Sequence, residues 1–96
     1  MITKFTKRLG EKIYELRVEK RMTLRDLAEK ASSYMEDGRS ISHTSINKYE
    51  NFGRAMDLDV YFAICKALDI DATKLLTEVQ EEINSKKKAG KKHASL

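Results

Sequence analysis

The sequence predicts an all-α fold, a compact five-helix domain. Three observations carry that expectation. Apolar residues recur at three- and four-residue steps in successive stretches. Most of those stretches open on a Ser, Thr or Asp suited to cap a helix. The 96 residues contain no proline and four glycines, which argues against loop-rich and β-sandwich architectures. The length allows one domain, and 41% hydrophobic content suffices for one small core.

The first helix is expected over about Thr6 to Lys20, where Leu9, Ile13 and Leu16 form one stripe. Met22 closes the connection. Thr23 then reads as an N-cap, and Asp26 completes a capping-box-like T-x-x-D. The second helix runs from Leu24 to about Ala31, with a narrow face of Leu24, Leu27, Ala28 and Ala31. Residues 32–41, SSYMEDGRSI, read as a partly helical loop. Within it Tyr34 and Met35 can cover the core, touch a ligand or meet a partner, and core cover fits them best. Ser42 caps a third helix over His43 to about Asn51, with Ile46 and Tyr49 turned inward. Asp57 or Asp59 opens a fourth helix through Leu68, the most hydrophobic segment and the expected centre of the core. Asp71 caps a short fifth helix, Ala72 to about Glu78. Leu75, Leu76, Val79 and Ile83 continue an apolar line beyond it. The last segment, from Ser85, has five lysines in seven positions and no apolar period, so a basic disordered tail is expected. The folded domain is thus expected over 5–77, with an extension and lysine-rich tail over 78–96.

Charge and composition exclude several classes. No apolar run approaches the roughly 18 residues of a membrane span. MITKFTKRLGEK lacks an apolar h-region, which argues against a secretory signal. The single cysteine, Cys65, excludes a disulfide framework or a Cys-based zinc site within one chain. A reducing, cytoplasmic setting is expected. Residues 1–55 carry 12 basic and 8 acidic side chains, whereas 56–77 carry 2 and 4. A positive N-terminal half suits a nucleic-acid partner. No nucleophile–base motif, P-loop or HExxH occurs, so an enzyme is not expected. Cys65, on an apolar stripe, reads as a small buried hydrophobe. No cofactor is implied.

The order of signals adds more. T-x-x-D-L-A-x-x-A is followed by a capped helix with small polar residues outward, ending Y-E-N. Then comes D-L-D-V-Y-F-A-I-C-K-A-L-D-I-D-A-T-K-L-L. Over roughly residues 7–77 this resembles the phage-repressor (Cro/Xre, lambda-repressor-like) helix-turn-helix family. The resemblance implies that Leu24–Ala31 braces the DNA backbone and that 43–51 is the recognition helix in the major groove. Glu50 matches the family's Glu near the end of that helix. Three features depart from the pattern. The turn between the second and third helices is enlarged to ten residues, Phe52 stands where Gly is usual, and Met56 replaces a common Pro.

On this reading Ser42, His43, Thr44, Ser45, Asn47 and Lys48 face DNA. Asn47 can pair with an adenine edge, and Lys48 can reach guanine or phosphate. Thr23 and Arg25 stand where the second helix's N-terminus would hold a phosphate. Arg17, Arg39 and Arg54 are further phosphate candidates, each equally readable as a solvated charge.

The expected function is sequence-specific binding of double-stranded DNA as a transcriptional regulator, a repressor of phage or mobile-element type. The rival is a protein-interaction module of the same fold, an antitoxin or an adaptor whose partner is a toxin or antirepressor. A homodimer is expected through Leu75, Leu76, Val79 and Ile83, which a small domain cannot easily bury alone; the alternative is that Leu75 and Leu76 close the core of one chain.

Overall fold

In the computed structural model, which describes residues 2–95 and the side chains of 2–85, the chain forms α1 (Lys4–Glu19), α2 (Leu24–Ser32), α3 (His43–Phe52), α4 (Leu58–Ala67) and α5 (Ala72–Ser95). No strand occurs among the described residues. Each helix start has a local cause. Thr3 and Thr6 form a reciprocal capping box, so α1 begins two residues ahead of the predicted start. Thr23 and Asp26 do the same for α2, with hydrogen bonds of 3.0 and 2.9 Å. The Ser42 hydroxyl accepts from the Ser45 amide at 3.1 Å. Asp57, rather than Asp59, caps α4 by accepting from Val60 N–H at 2.9 Å. α3 runs one residue past Asn51 because Gly53 takes the left-handed position that ends it, with φ of 63°.

The core draws on every helix. Ile13, Leu27, Ile46, Ile64 and Val79 are each fully buried, one from each of α1 to α5, and Leu68 joins them just past α4. Each such side chain stabilises the fold by about 1.5–3 kcal/mol relative to an exposed one. α1 packs on α3 and α5, and α2 packs on α3 and α4.

The C-terminal part differs from the sequence expectation. α5 does not stop near Glu78; its helical backbone runs on to Ser95. The residues that follow Glu78 are mostly Gln, Glu, Lys and Ala, good helix formers with no proline to stop them. The expected lysine-rich disordered tail falls on residues 86–96, which lie outside those whose side chains are described. No break separates residue 77 from 78. The apolar line assigned to a second copy is also covered differently. Leu75 and Val79 are buried in the chain's own core, and Leu76 and Ile83 are half-buried against it. A long α5 reaches across α1, so one chain supplies the cover that a shorter helix could not. Arg8 and Lys12 of α1 fasten this arrangement by ion pairs to Glu82, at 2.6 and 3.1 Å.

Candidate nucleic-acid interface

α3 is held from two sides. On the first, α1 crosses it with the backbones touching. A Cβ on Gly10 would lie 1.9 Å from the Tyr49 carbonyl oxygen, so only glycine fits that crossing. Near the same crossing lies an ion pair. Arg17 donates from Nε to Glu50 Oε2 at 2.8 Å and from Nη2 to Oε1 at 3.0 Å. Its Nη1 donates to the Met22 carbonyl at 2.7 Å. The Glu50 side chain is fully buried and that of Arg17 is 11% exposed. The hydrogen bond to Glu50 holds the Arg17 guanidinium above its ordinary pKa, against the opposing effect of burial. Arg17, a phosphate candidate in the sequence, is thus engaged within the chain. Its donors are spent inward on α3 and on the α1–α2 connection.

On the second side, the segment 33–42 links α2 to α3. Met35 and Ile41 are buried and anchor it. The Ser32 hydroxyl donates to Ala28 O at 2.7 Å and accepts from Ile41 N–H at 2.8 Å. Between these anchors Gly38 turns the chain at φ of 78°. Arg39 then meets three carboxylates: Asp37 at 2.6 Å, Asp57 at 3.0 Å and Asp59 at 3.7 Å. Hydrogen bonds to Asp57 and Asp37 raise the Arg39 pKa further above its high ordinary value. Backbone amides and Arg39 hold both of those carboxylates below the usual range. Arg39 thus ties the long loop to the cap of α4 instead of standing open to a phosphate. Of the two loop residues with several readings, Met35 covers the core. Tyr34 stays exposed, with the Lys66 ammonium 6.0 Å from its ring centre.

What remains exposed on α3 is free of acid. His43, Thr44, Lys48, Asn51 and Phe52 are exposed, and Ser45 and Asn47 are half-buried. The one acidic residue of α3, Glu50, points inward. Asn47 Oδ1 accepts from Asn51 Nδ2, which leaves the Asn47 amide hydrogens directed elsewhere. Arg25 lines a groove with Ser42 and His43 at the start of α3, while Arg54 and Lys48 line another with Phe52 at its end. Neither Arg25, Lys48 nor Arg54 makes an ion pair among the described residues. Thr23 is committed to its capping box, and Asp26 already sets a carboxylate at the α2 N-terminus. Hydrogen bonds from Thr23 keep that carboxyl ionised below its usual range, so a phosphate there would meet like charge.

The structure therefore sets Thr44, Asn47 and Lys48 along α3, Arg25 with Ser42 and His43 in the groove at its start and Arg54 with Lys48 in the depression at its end. The Ser45 hydroxyl accepts from Ser42, and Arg17 and Arg39 are engaged elsewhere. Asn51 and Phe52 are also exposed on α3 and are not among the DNA-facing residues expected from the sequence, where the helix ends near Asn51. Their four-residue spacing from Asn47 and Lys48 was the available signal.

Cys65 is 1% exposed, and burial pushes its thiol pKa up, which suits a core side chain rather than a nucleophile. No helix among the described residues is long and apolar enough to cross a membrane. No curated protein matches the sequence. A family model described as Helix-turn-helix (HTH_3) matches residues 13–75, from the middle of α1 to the first turn of α5. That match spans α2, the enlarged turn and α3 and covers well over half of the chain, which belongs to the helix-turn-helix family of DNA-binding regulators.

Proposed function

We propose that the chain binds a specific double-stranded DNA operator and represses transcription by occupying it. The observation that carries this reading is the face of α3. Its donors and acceptors project outward, its one carboxylate is turned in and neutralised by Arg17, and Arg25 and Arg54 stand at its two ends. Thr44, Asn47 and Lys48 offer the short polar and amide groups that read base edges in the major groove. The two flanking cations suit phosphates on either side of that groove. Two copies on one operator belong to the same reading. One α3 spans only a few base pairs, and two-fold-related half-sites lie about 34 Å apart or a multiple of that.

Selection of bound duplexes from a random pool tests it. A defined, two-fold symmetric site is expected. Asn47→Ala with Lys48→Ala is expected to abolish preference for that site. A pool that yields no common sequence at moderate salt sinks the proposal.

One observation favours a second reading, a protein-interaction module such as an antitoxin. Leu58 and Phe62, one turn apart on α4, are 66% and 46% exposed, and Tyr34, 41% exposed, lines a groove with Phe62. If partner binding is lost in Phe62→Asp and kept in the Asn47/Lys48 variant, that surface carries it.

A further inference from the structure

Phe52 ends α3 with 63% of its surface exposed, the most open aromatic side chain among the described residues. Its position follows from helix geometry. Thr44, Lys48 and Phe52 are four residues apart and form one outward row, opposite the buried Ile46, Tyr49 and Glu50. With Ile2, Ala55, Lys48 and Arg54 it lines a shallow depression, so two cations share that surface with apolar side chains. Leaving an aromatic ring in water forgoes burial that any apolar occupant would restore.

The two cations decide which occupant fits. A second copy joined about a two-fold axis would set its own Lys48 and Arg54 against these two cations. Like charges at that range oppose the contact. A DNA duplex has the complementary layout. Phosphates border the major groove, and the 5-methyl group of thymine projects into it as a small apolar knob. The geometry points to Phe52 as a specificity-determining residue that packs against a thymine 5-methyl group, while Lys48 and Arg54 engage the flanking polar edge and backbone. The inference rests on the DNA reading above and names an apolar base contact within it.

The test uses the full chain and the duplex obtained by random-pool selection. Each thymine of that duplex is replaced in turn by uracil, which deletes the methyl group and keeps every hydrogen bond. At one position per half-site, uracil is expected to weaken wild-type binding about four-fold, the ratio for one buried methyl worth about 0.8 kcal/mol. In Phe52→Ala that position is expected to lose its sensitivity to uracil, so the two changes are non-additive. Phe62→Ala, on α4 away from this face, is expected to keep it. Several outcomes overturn the inference while leaving DNA binding intact: no uracil position matters, the sensitive position behaves alike in wild type and Phe52→Ala, or the selected site has no thymine. A change of mass in solution caused by Phe52→Ala also overturns it, in favour of a second copy. Failure to select any duplex removes the DNA reading and this inference together.

Discussion

The two ends of α3 are fixed by different physics. Its C-terminal half lies against α1 through a contact only Gly10 permits and through the buried Arg17–Glu50 pair. Its N-terminal half hangs on the loop 33–42, whose outermost tie is Arg39 among exposed carboxylates. Buried pairs are costly to break because the survivor is left without water or partner. Exposed pairs contribute only about 0–1 kcal/mol each and weaken as salt rises. The C-terminal half is therefore set by packing and a buried pair, whereas the half that presents His43 and Thr44 adds to its buried anchors Met35, Ile41 and Ile46 an outer tie that salt weakens. A helix meant to enter a groove gains from both: a fixed base and a leading end with some freedom to adjust.

The buried side gives the largest effects. Glu50→Ala leaves the Arg17 guanidinium, 11% exposed, without its carboxylate. A loss of about 3–5 kcal/mol is expected in urea unfolding. Gly10→Ala forces a methyl into the Tyr49 carbonyl and is expected to cost about 3 kcal/mol. An unchanged urea midpoint in either variant would erase the comparison at its stronger end.

An intermediate effect belongs to Ser32. Ser32→Ala removes the hydroxyl that accepts from Ile41 N–H, at a residue only 7% exposed. The unpaired amide is expected to cost about 1–3 kcal/mol. Hydrogen exchange locates the damage. Faster exchange across 33–42 with little change in α1 is the expected pattern, and uniform acceleration would show that the loop is not a separate unit.

Arg39→Gln is smaller in stability and sharper in meaning. Its partners are about half exposed or more, so a loss of no more than about 1 kcal/mol is expected. Affinity for the selected duplex is expected to fall, because α3's leading end is less well placed. The dependence of affinity on salt separates the two roles. A phosphate ligand lost from the interface lowers the log–log salt slope by about 0.9. A positioning residue leaves that slope unchanged, and this is the expected result.

Much of the fold was legible because it rests on local chemistry. The Thr23–Asp26 box, the Ser42 cap and the stripes of α1 and α4 follow from spacing and hydrogen-bonding side chains near in sequence. The α1 start was missed although Thr3 and Thr6 carry the same signal, since T-x-x-T is a weaker signature than T-x-x-D or T-x-x-E. The errors at the interface are of another kind. Arg17 and Glu50 are 33 residues apart, and Arg39 and Asp57 are 18 apart. An arginine's positive charge is visible in a sequence, but its partner is set by tertiary packing. Gly10 is the same case, an ordinary residue until α3 is laid across it. The length of α5 was misjudged because the polar run after Glu78 was read for its missing apolar stripe rather than for helix propensity.

The smallest effect concerns how α1 itself is held. Its outer side is fastened to α5 by Glu82, whose carboxyl accepts from Arg8 Nε at 2.6 Å. The hydrogen bonds from Arg8 and then Lys12 draw the Glu82 pKa down to about 2, against an ordinary 4.5. A carboxyl whose pKa is lower in the folded than in the unfolded chain binds fewer protons when folded. Its stabilisation is complete above 4.5 and is lost as pH falls toward about 2. Asp26, Asp37 and Asp57 are also held below their usual range, so acid alone weakens several contacts together. The difference between wild type and Glu82→Gln isolates one. A small gap in Tm is expected at pH 6, narrowing as pH drops below 4.5, with α3's contacts to α1 unaffected in hydrogen exchange. A gap that stays constant with pH would mean that Glu82 supports α5 by packing rather than by charge. Loss of protection at Tyr49 in Glu82→Gln would show instead that the rigid half of α3 depends on a half-buried ion pair outside it, and the contrast between its two ends would fall.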